Sequence, residues 1–120
     1  MRINYTTLTR GYQKQITLSH DSVVLHVEGR EENKDVKRSL TPDEWNLLIK
    51  SLKNVKLEDI PNLPSPSMKR AYDGARHSTI TLTTPDHKTF SHAFDNEDAH
   101  AKLLPLMQAI LKIEEATSQP

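Results

Sequence analysis

Apolar and polar residues alternate along most of the first forty positions, which is the pattern of β-strands with one buried face. The alternation predicts four strands, in chain order Ile3–Leu8, Gln13–Ser19, Ser22–Glu28 and Lys34–Leu40. The turn-forming residues Ser19-His20-Asp21-Ser22 join the second strand to the third. Residues paired across two strands point to the same face, and along each strand every second residue points to that face. This parity of positions predicts that Leu18 lies opposite Val23 and Ile16 opposite Leu25.

A helix follows from about Pro42 to Lys53. Thr41 is a good N-cap, Pro42 suits the first helical position, and Glu44 can complete a capping box. The apolar side chains behind this signal recur at helical spacing: Trp45, Leu48, Ile49 and Leu52.

The next segment is rich in proline, with Pro61, Pro64 and Pro66 excluding a long helix or a central strand. Its regularly spaced apolar residues indicate an irregular or extended segment that covers the core. The side chains predicted to pack on the core are Leu57, Ile60 and Leu63.

Strand alternation returns after Gly74, first through Ser78, Ile80 and Leu82, then through Phe90, His92 and Phe94. A three-residue loop, Pro85–His87, places Leu82 opposite Phe90 and Ile80 opposite His92.

A last helix is predicted from near Ala99 to Ala116. Pro105 is compatible with it only if the helix begins late enough for the missing N–H to fall in the first turn.

The order strands, helix, strands, helix predicts an α+β fold. The simplest arrangement that buries all these apolar stripes is one antiparallel sheet of about five to six strands with two helices packed on one face. A chain of 120 residues fits a single domain, residues 1–120.

Charge and composition exclude several classes of function. The 16 basic and 16 acidic residues cancel, so broad attraction to nucleic acid or to an anionic membrane is not expected. The sequence has no cysteine, which excludes disulfides and thiolate metal sites and fits a reducing compartment. Residues 1–10 contain no apolar run typical of a signal peptide or membrane span. We therefore expect no membrane insertion and a cytoplasmic protein, or a cell-envelope or periplasmic one if the chain is a trimmed mature form.

No catalytic motif stands out in the sequence. Ser19-His20-Asp21 contains triad residue types, but adjacent positions in a hairpin point apart and cannot converge. With only three glycines, the chain shows no phosphate-binding loop or dinucleotide fingerprint. We predict a protein that is not an enzyme and carries no cofactor.

Histidines and carboxylates crowd into one stretch, His87 to His100, and supply ligand types that suit zinc. Their spacing does not match a helical His-x-x-x-His pair. Most of these histidines and carboxylates are explained as turn residues or as acidic residues at the start of the last helix. His92 is explained as a histidine at the edge of the core between two phenylalanines. A metal-binding protein or metal-dependent enzyme using His92 to His100 is the alternative function.

The densest group of unusual residues is Lys69–Ser78, KRAYDGARHS. One interpretation is a turn made by Asp73-Gly74, with Tyr72 packed back on the core. The other is a cationic–aromatic patch for a carboxylate-rich or phosphorylated partner. The candidate binding residues are Lys69, Arg70, Tyr72, Asp73 and Arg76. Under the second interpretation, charge reversal at Arg70 and Arg76 weakens partner binding with little change in thermal stability.

Three short motifs carry a resemblance to a known group. Arg70-Ala71-Tyr72-Asp73-Gly74-Ala75, Thr41-Pro42-Asp43-Glu44-Trp45 and Phe94-Asp95 resemble a group of small bacterial α+β domains of unknown function. In that group a Tyr-Asp-Gly-Ala turn leads into a strand, a Phe-Asp motif precedes the final helix, and members are often lipoproteins or exported. The sequence departs from the group after Asp95, where Asn96-Glu97-Asp98-Ala99-His100 stands in place of the expected glycine and paired prolines.

The resemblance implies an α+β fold and a cell-envelope location, and it lends no activity. The sequence thus favours a non-catalytic binding or accessory module with a protein partner. It leaves open the identity of that partner and the oligomeric state of the protein itself.

Overall fold

The alternating segments form strands in the computed structural model, which describes residues 1–29, 33–65 and 75–118. Within these ranges the elements are β1 (Arg2–Thr9), β2 (Tyr12–Ser19), β3 (Ser22–Gly29), β4 (Asn33–Ser39), α1 (Pro42–Ser51), a 3₁₀-helix (Leu57–Asn62), β5 (His77–Thr83), β6 (Thr89–Asp95) and α2 (Leu104–Ser118). The predicted α+β class and the predicted order of strands and helices are confirmed.

The strands form one antiparallel sheet with the order β4-β3-β2-β1-β5-β6 in the described part of the chain. Both registers predicted from parity are confirmed. Leu18 pairs with Val23, and Leu82 pairs with Phe90.

One face of this sheet carries the hydrophobic core, and α2 packs over β3 and β4 on that side while α1 packs against α2. The fully buried side chains come from five strands and from the segments that cover them, among them Tyr5, Ile16, Leu25, Leu48, Ile60, Ile80, Phe94 and Leu106. The other face is polar, as expected for an antiparallel sheet with one solvated side.

The capping box predicted for α1 is present. The Glu44 backbone N–H donates to the Thr41 hydroxyl at 3.1 Å, and the Thr41 backbone N–H donates to the Glu44 carboxylate at 3.0 Å. α1 ends at Ser51, two residues before the predicted Lys53, because Leu52 leaves helical geometry with φ −96° and ψ 3°.

α2 begins at Leu104, five residues after the predicted start at Ala99. Pro105 explains the late start, because the second helical position is one where a missing N–H costs no intrahelical hydrogen bond. The first such bond runs from the Met107 N–H to the Leu103 carbonyl at 2.9 Å.

The proline-rich crossing contains the 3₁₀-helix and packs on β6. Ile60 is fully buried, and Leu57 and Leu63 pack against the core, as the sequence predicts. A 3₁₀ turn tolerates Pro61 because its short repeat needs few consecutive backbone donors.

Arg38 joins three elements where β4 meets the helices. Its guanidinium donates to both carboxylate oxygens of Glu44 at 2.9 and 2.8 Å, and its Nε donates to the Thr117 hydroxyl at 3.0 Å. Because Glu44 lies in the first turn of α1 and Thr117 near the end of α2, the two helices run antiparallel.

We expect acid to weaken this junction. Hydrogen bonds from Arg38 hold the pKa of Glu44 at about 2, below its ordinary value of 4.5. A lowered pKa means that Glu44 stabilises the fold above about pH 4.5 and that this contribution is lost as the pH falls toward about 2. Urea unfolding across that window measures the loss.

The matched control is Glu44→Gln, which keeps the shape and an acceptor for the Thr41 N–H but cannot titrate. Its free energy of unfolding should fall less steeply between about pH 4.5 and pH 2 than that of the wild type. Equal slopes for the two proteins would contradict the assignment to Glu44.

Candidate functional site

Of the predicted patch, only Arg76 lies within the described residues; Lys69, Arg70, Tyr72 and Asp73 lie outside them. The Arg76 side chain is 34% exposed, and its Nη2 lies 3.8 Å from Glu97 Oε1. The Arg76 backbone N–H donates to the Asn96 side-chain oxygen at 3.1 Å. Arg76 therefore takes part in the turn after β6, and the cationic–aromatic patch stays a prediction.

A group of hydroxyls lies beneath this turn. Thr7 and Ser78 face each other across β1 and β5, with their hydroxyl oxygens 2.8 Å apart. The Ser78 hydroxyl also donates to the Asn96 carbonyl, and the Tyr5 hydroxyl donates to the same carbonyl at 3.5 Å. Asn96 has a positive φ of 50°, a conformation that asparagine tolerates better than most residues. The hydroxyls therefore hold a left-handed turn in place. Burial raises the pKa of Tyr5, which keeps its hydroxyl protonated as a donor.

His92 occupies the place that the sequence predicts for it. The ring is 4% exposed and stacks on Phe94 with centroids 5.9 Å apart. His100 meets it edge-on at 6.5 Å, and His92 Nε2 lies 3.4 Å from the Pro64 carbonyl. Across residues 1–29, 33–65 and 75–118, no group of three or more histidine, aspartate or glutamate side chains is placed to hold a metal.

The polar face of the sheet carries a charged group that sequence reasoning missed. His26 lies between two carboxylates, with Nδ1 2.5 Å from Asp35 and Nε2 3.0 Å from Glu28. These hydrogen bonds, first of all that with Asp35, raise the pKa of His26. Asp35 and Glu28 are exposed and His26 is half-buried between them. Even when His26 is protonated, the two carboxylates leave the group with a net charge of −1, so it does not attract an anionic ligand.

The helices form a groove on their outer side. It has a volume of about 330 Å³ and is lined by Leu47, Lys50 and Ser51 of α1 and by Pro105, Gln108, Ala109 and Lys112 of α2. Its floor is closed by Ala109, which is 5% exposed, and its rim carries Leu47, a large apolar side chain that is 38% exposed.

Two exposed lysines border this groove, one on each helix. Neither Lys50 nor Lys112 forms an ion pair with a residue of the described ranges, and no carboxylate is among the residues that line the groove. The groove therefore combines an apolar floor with two cations that form no ion pair within the described part of the chain.

A second groove, of about 570 Å³, lies at the ends of the first strands. Its lining includes Leu8 and Glu28 from the polar face of the sheet and Tyr12 from the core face. Because both faces contribute, this groove is a notch in the end of the sheet, and it lacks basic side chains among the described residues that line it.

Sequence reasoning missed the groove between the helices, although a signal was present. Along α2 the groove residues Pro105, Gln108, Ala109 and Lys112 recur at helical spacing and form a stripe of small and polar side chains beside the apolar one. Such a stripe identifies the flank of α2 at the edge of the core, where Ala109 is buried and Pro105, Gln108 and Lys112 are exposed, but not what lies next to it.

The chain matches no protein-family model, no curated protein and no solved structure in the comparisons made. The described helices include none with the length and apolarity that crossing a membrane requires.

Proposed function

We propose that the protein is a non-catalytic binding module that contacts a protein partner through the groove between α1 and α2. The observation that carries the proposal is the combination of exposed Leu47 with Lys50 and Lys112, which form no ion pair with a described residue, around an apolar floor. Exposed apolar side chains in a concave site, bordered by polar ones, are typical of interaction surfaces.

The scaffold behind the groove supports a binding role. The Arg38 junction fixes the start of α1 beside the end of α2, and buried Leu48 and Ala109 anchor the two walls to the core. A groove whose walls are held in place loses little conformational entropy when it is filled, which favours affinity.

Three buried polar residues have structural contacts that explain their positions: Thr7, Ser78 and His92. The hydroxyls of Thr7 and Ser78 hold the Asn96 turn, and His92 stacks on Phe94 in the core. These contacts favour the binding role over the metal-dependent alternative.

The test is site-specific photo-crosslinking from a benzophenone amino acid at Gln108, an exposed groove position, in the cells that produce the protein. We expect an adduct with another protein that is lost when Leu47→Glu places a charge on the groove rim. The matched control is the same amino acid at Ser91, which is exposed on the opposite face of the sheet. Equal adducts from both positions, or none from Gln108, would show that the groove is not a protein-binding site.

A further inference from the structure

We infer that the groove between α1 and α2 binds a single amphipathic helix whose apolar stripe is flanked on both sides by acidic residues. This inference rests on the proposed function and adds the shape and charge of the partner.

The length of the groove suits a short helix. The α2 wall runs from Pro105 to Lys112, which at 1.5 Å per residue is about 10 Å, or two helical turns. The facing wall is the last part of α1, from Leu47 to Ser51. A third helix laid between two antiparallel helices presents apolar residues at i, i+3 or i+4 and i+7, which is the usual helix-in-groove mode.

The lining favours a helix over a small molecule. A volume of about 330 Å³ is near the lower end for small-molecule pockets, and such pockets bury most of their ligand. In this groove the rim residues Leu47, Lys50 and Gln108 are all exposed, so a small ligand would keep much of its surface in water. A helix needs only one of its faces covered.

The positive charge of the groove favours a partner helix with acidic residues on both sides of its apolar stripe. Lys50 lies on one wall and Lys112 on the other, so a helix seated between them meets a cation on each side of its apolar stripe. Glutamate or aspartate at both flanks neutralises these cations, whereas a basic helix would meet like charge on both sides.

A flat membrane surface fits less well. The apolar floor at Ala109 is buried between the two walls, so lipid would reach only the exposed apolar side chains of the two helices, Leu47, Ile49 and Leu104. Amphipathic helices that lie on membranes present a continuous apolar face outward, which these two helices turn toward the core.

The experiment is a titration of ¹⁵N-labelled protein with two stapled helical peptides of about 15 residues. Both carry leucines at i, i+4 and i+7; one has glutamates on both flanks of this stripe, and the other has lysines there. We expect the acidic peptide to shift the amide signals of the groove residues Leu47, Lys50, Ser51, Gln108, Ala109 and Lys112 and to bind more tightly than the basic one.

The double variant Lys50→Glu/Lys112→Glu should weaken binding of the acidic peptide about tenfold and strengthen binding of the basic peptide. The double variant Lys37→Glu/Lys88→Glu changes the net charge equally at exposed positions outside the groove, and it should leave both affinities unchanged. Thermal unfolding of each variant verifies that the fold is retained.

Several outcomes would overturn the inference. These are equal affinity for the two peptides, shifts outside the groove only, concentration-dependent dimerisation through the groove, and binding to vesicles of phosphatidylserine and phosphatidylcholine that depends on Lys50 and Lys112. Failure of both peptides together with a Leu47-dependent crosslink from Gln108 would reject the acidic helix and leave the proposed function standing. Absence of that crosslink would reject the proposed function itself.

Discussion

Replacing Lys14 by methionine is expected to lower the free energy of unfolding by about 3 to 5 kcal/mol, the largest effect of the changes considered. Lys14 on β2 forms an ion pair with Glu114 on α2, with 2.6 Å between Nζ and Oε1. The two side chains are only 12% and 15% exposed. The substitution keeps much of the apolar stem and removes the charge, so it leaves the Glu114 carboxylate buried without its partner.

The surroundings of the pair make this loss severe. Glu114 Oε2 is buried without a hydrogen-bond partner among the described residues, so the carboxylate depends on Lys14 for compensation. Burial lowers the pKa of Lys14, but the hydrogen bond and the charge of Glu114 outweigh it, and the net shift of the pKa is upward from 10.5. A raised pKa means that the contribution of Lys14 is fully present below about pH 10.5 and is lost only as the pH rises through the folded value.

Urea unfolding at neutral pH measures the effect, and the double variant Lys14→Met/Glu114→Leu is the control. Replacing both charges by apolar side chains of similar size removes the uncompensated carboxylate, so it should recover most of the stability lost in the single variant. A loss below about 1 kcal/mol in Lys14→Met would contradict this account and show that the pair behaves like a solvated surface pair.

The alternation of apolar and polar residues predicted the strands and their pairing registers, because it determines which face of each strand is buried. Once Ile16 and Leu18 are assigned to the core face, their partners on β3 follow, and a slip of one residue would expose every apolar side chain. The capping box of α1 was predictable for a similar reason, since its hydrogen bonds join residues only three positions apart.

The same parity places charged residues on the core face, among them Lys14 and Arg38. Lys14 has the parity of Ile16 on β2, and Arg38 has the parity of Val36 on β4. A cation at such a position indicates a buried ion pair, because leaving it unpaired would be costly. The partner of Lys14 could not be predicted from the sequence. Glu114 is a hundred positions away along the chain and comes close to Lys14 only because α2 packs over the sheet.

The groove between the helices was out of reach of sequence reasoning for a related reason. Periodicity predicts which side of α1 and of α2 faces the core, but the groove is formed by the flanks of both helices. Those flanks meet only because α1 and α2 pack side by side in an antiparallel arrangement, which Arg38 links at one end by contacts with both helices.

Arg38→Ala is expected to lower the free energy of unfolding by about 2 to 3 kcal/mol. It removes two charge-assisted hydrogen bonds to Glu44, one to Thr117 and one to the Ser39 carbonyl, and with them the link between β4, α1 and α2. The matched control is Lys37→Ala, an exposed position next to it on the same strand, which should change stability by less than about 0.5 kcal/mol.

Arg38→Lys separates the charge from the geometry of the guanidinium. Lysine keeps the positive charge near Glu44, but it cannot donate to both carboxylate oxygens and to Thr117 in the same planar arrangement. We therefore expect it to recover less than half of the stability lost in Arg38→Ala. Full recovery would show that charge alone holds this junction.

Since the Arg38 junction aligns the two walls of the groove, Arg38→Lys should also weaken binding of the acidic helical peptide, although Arg38 does not line the groove.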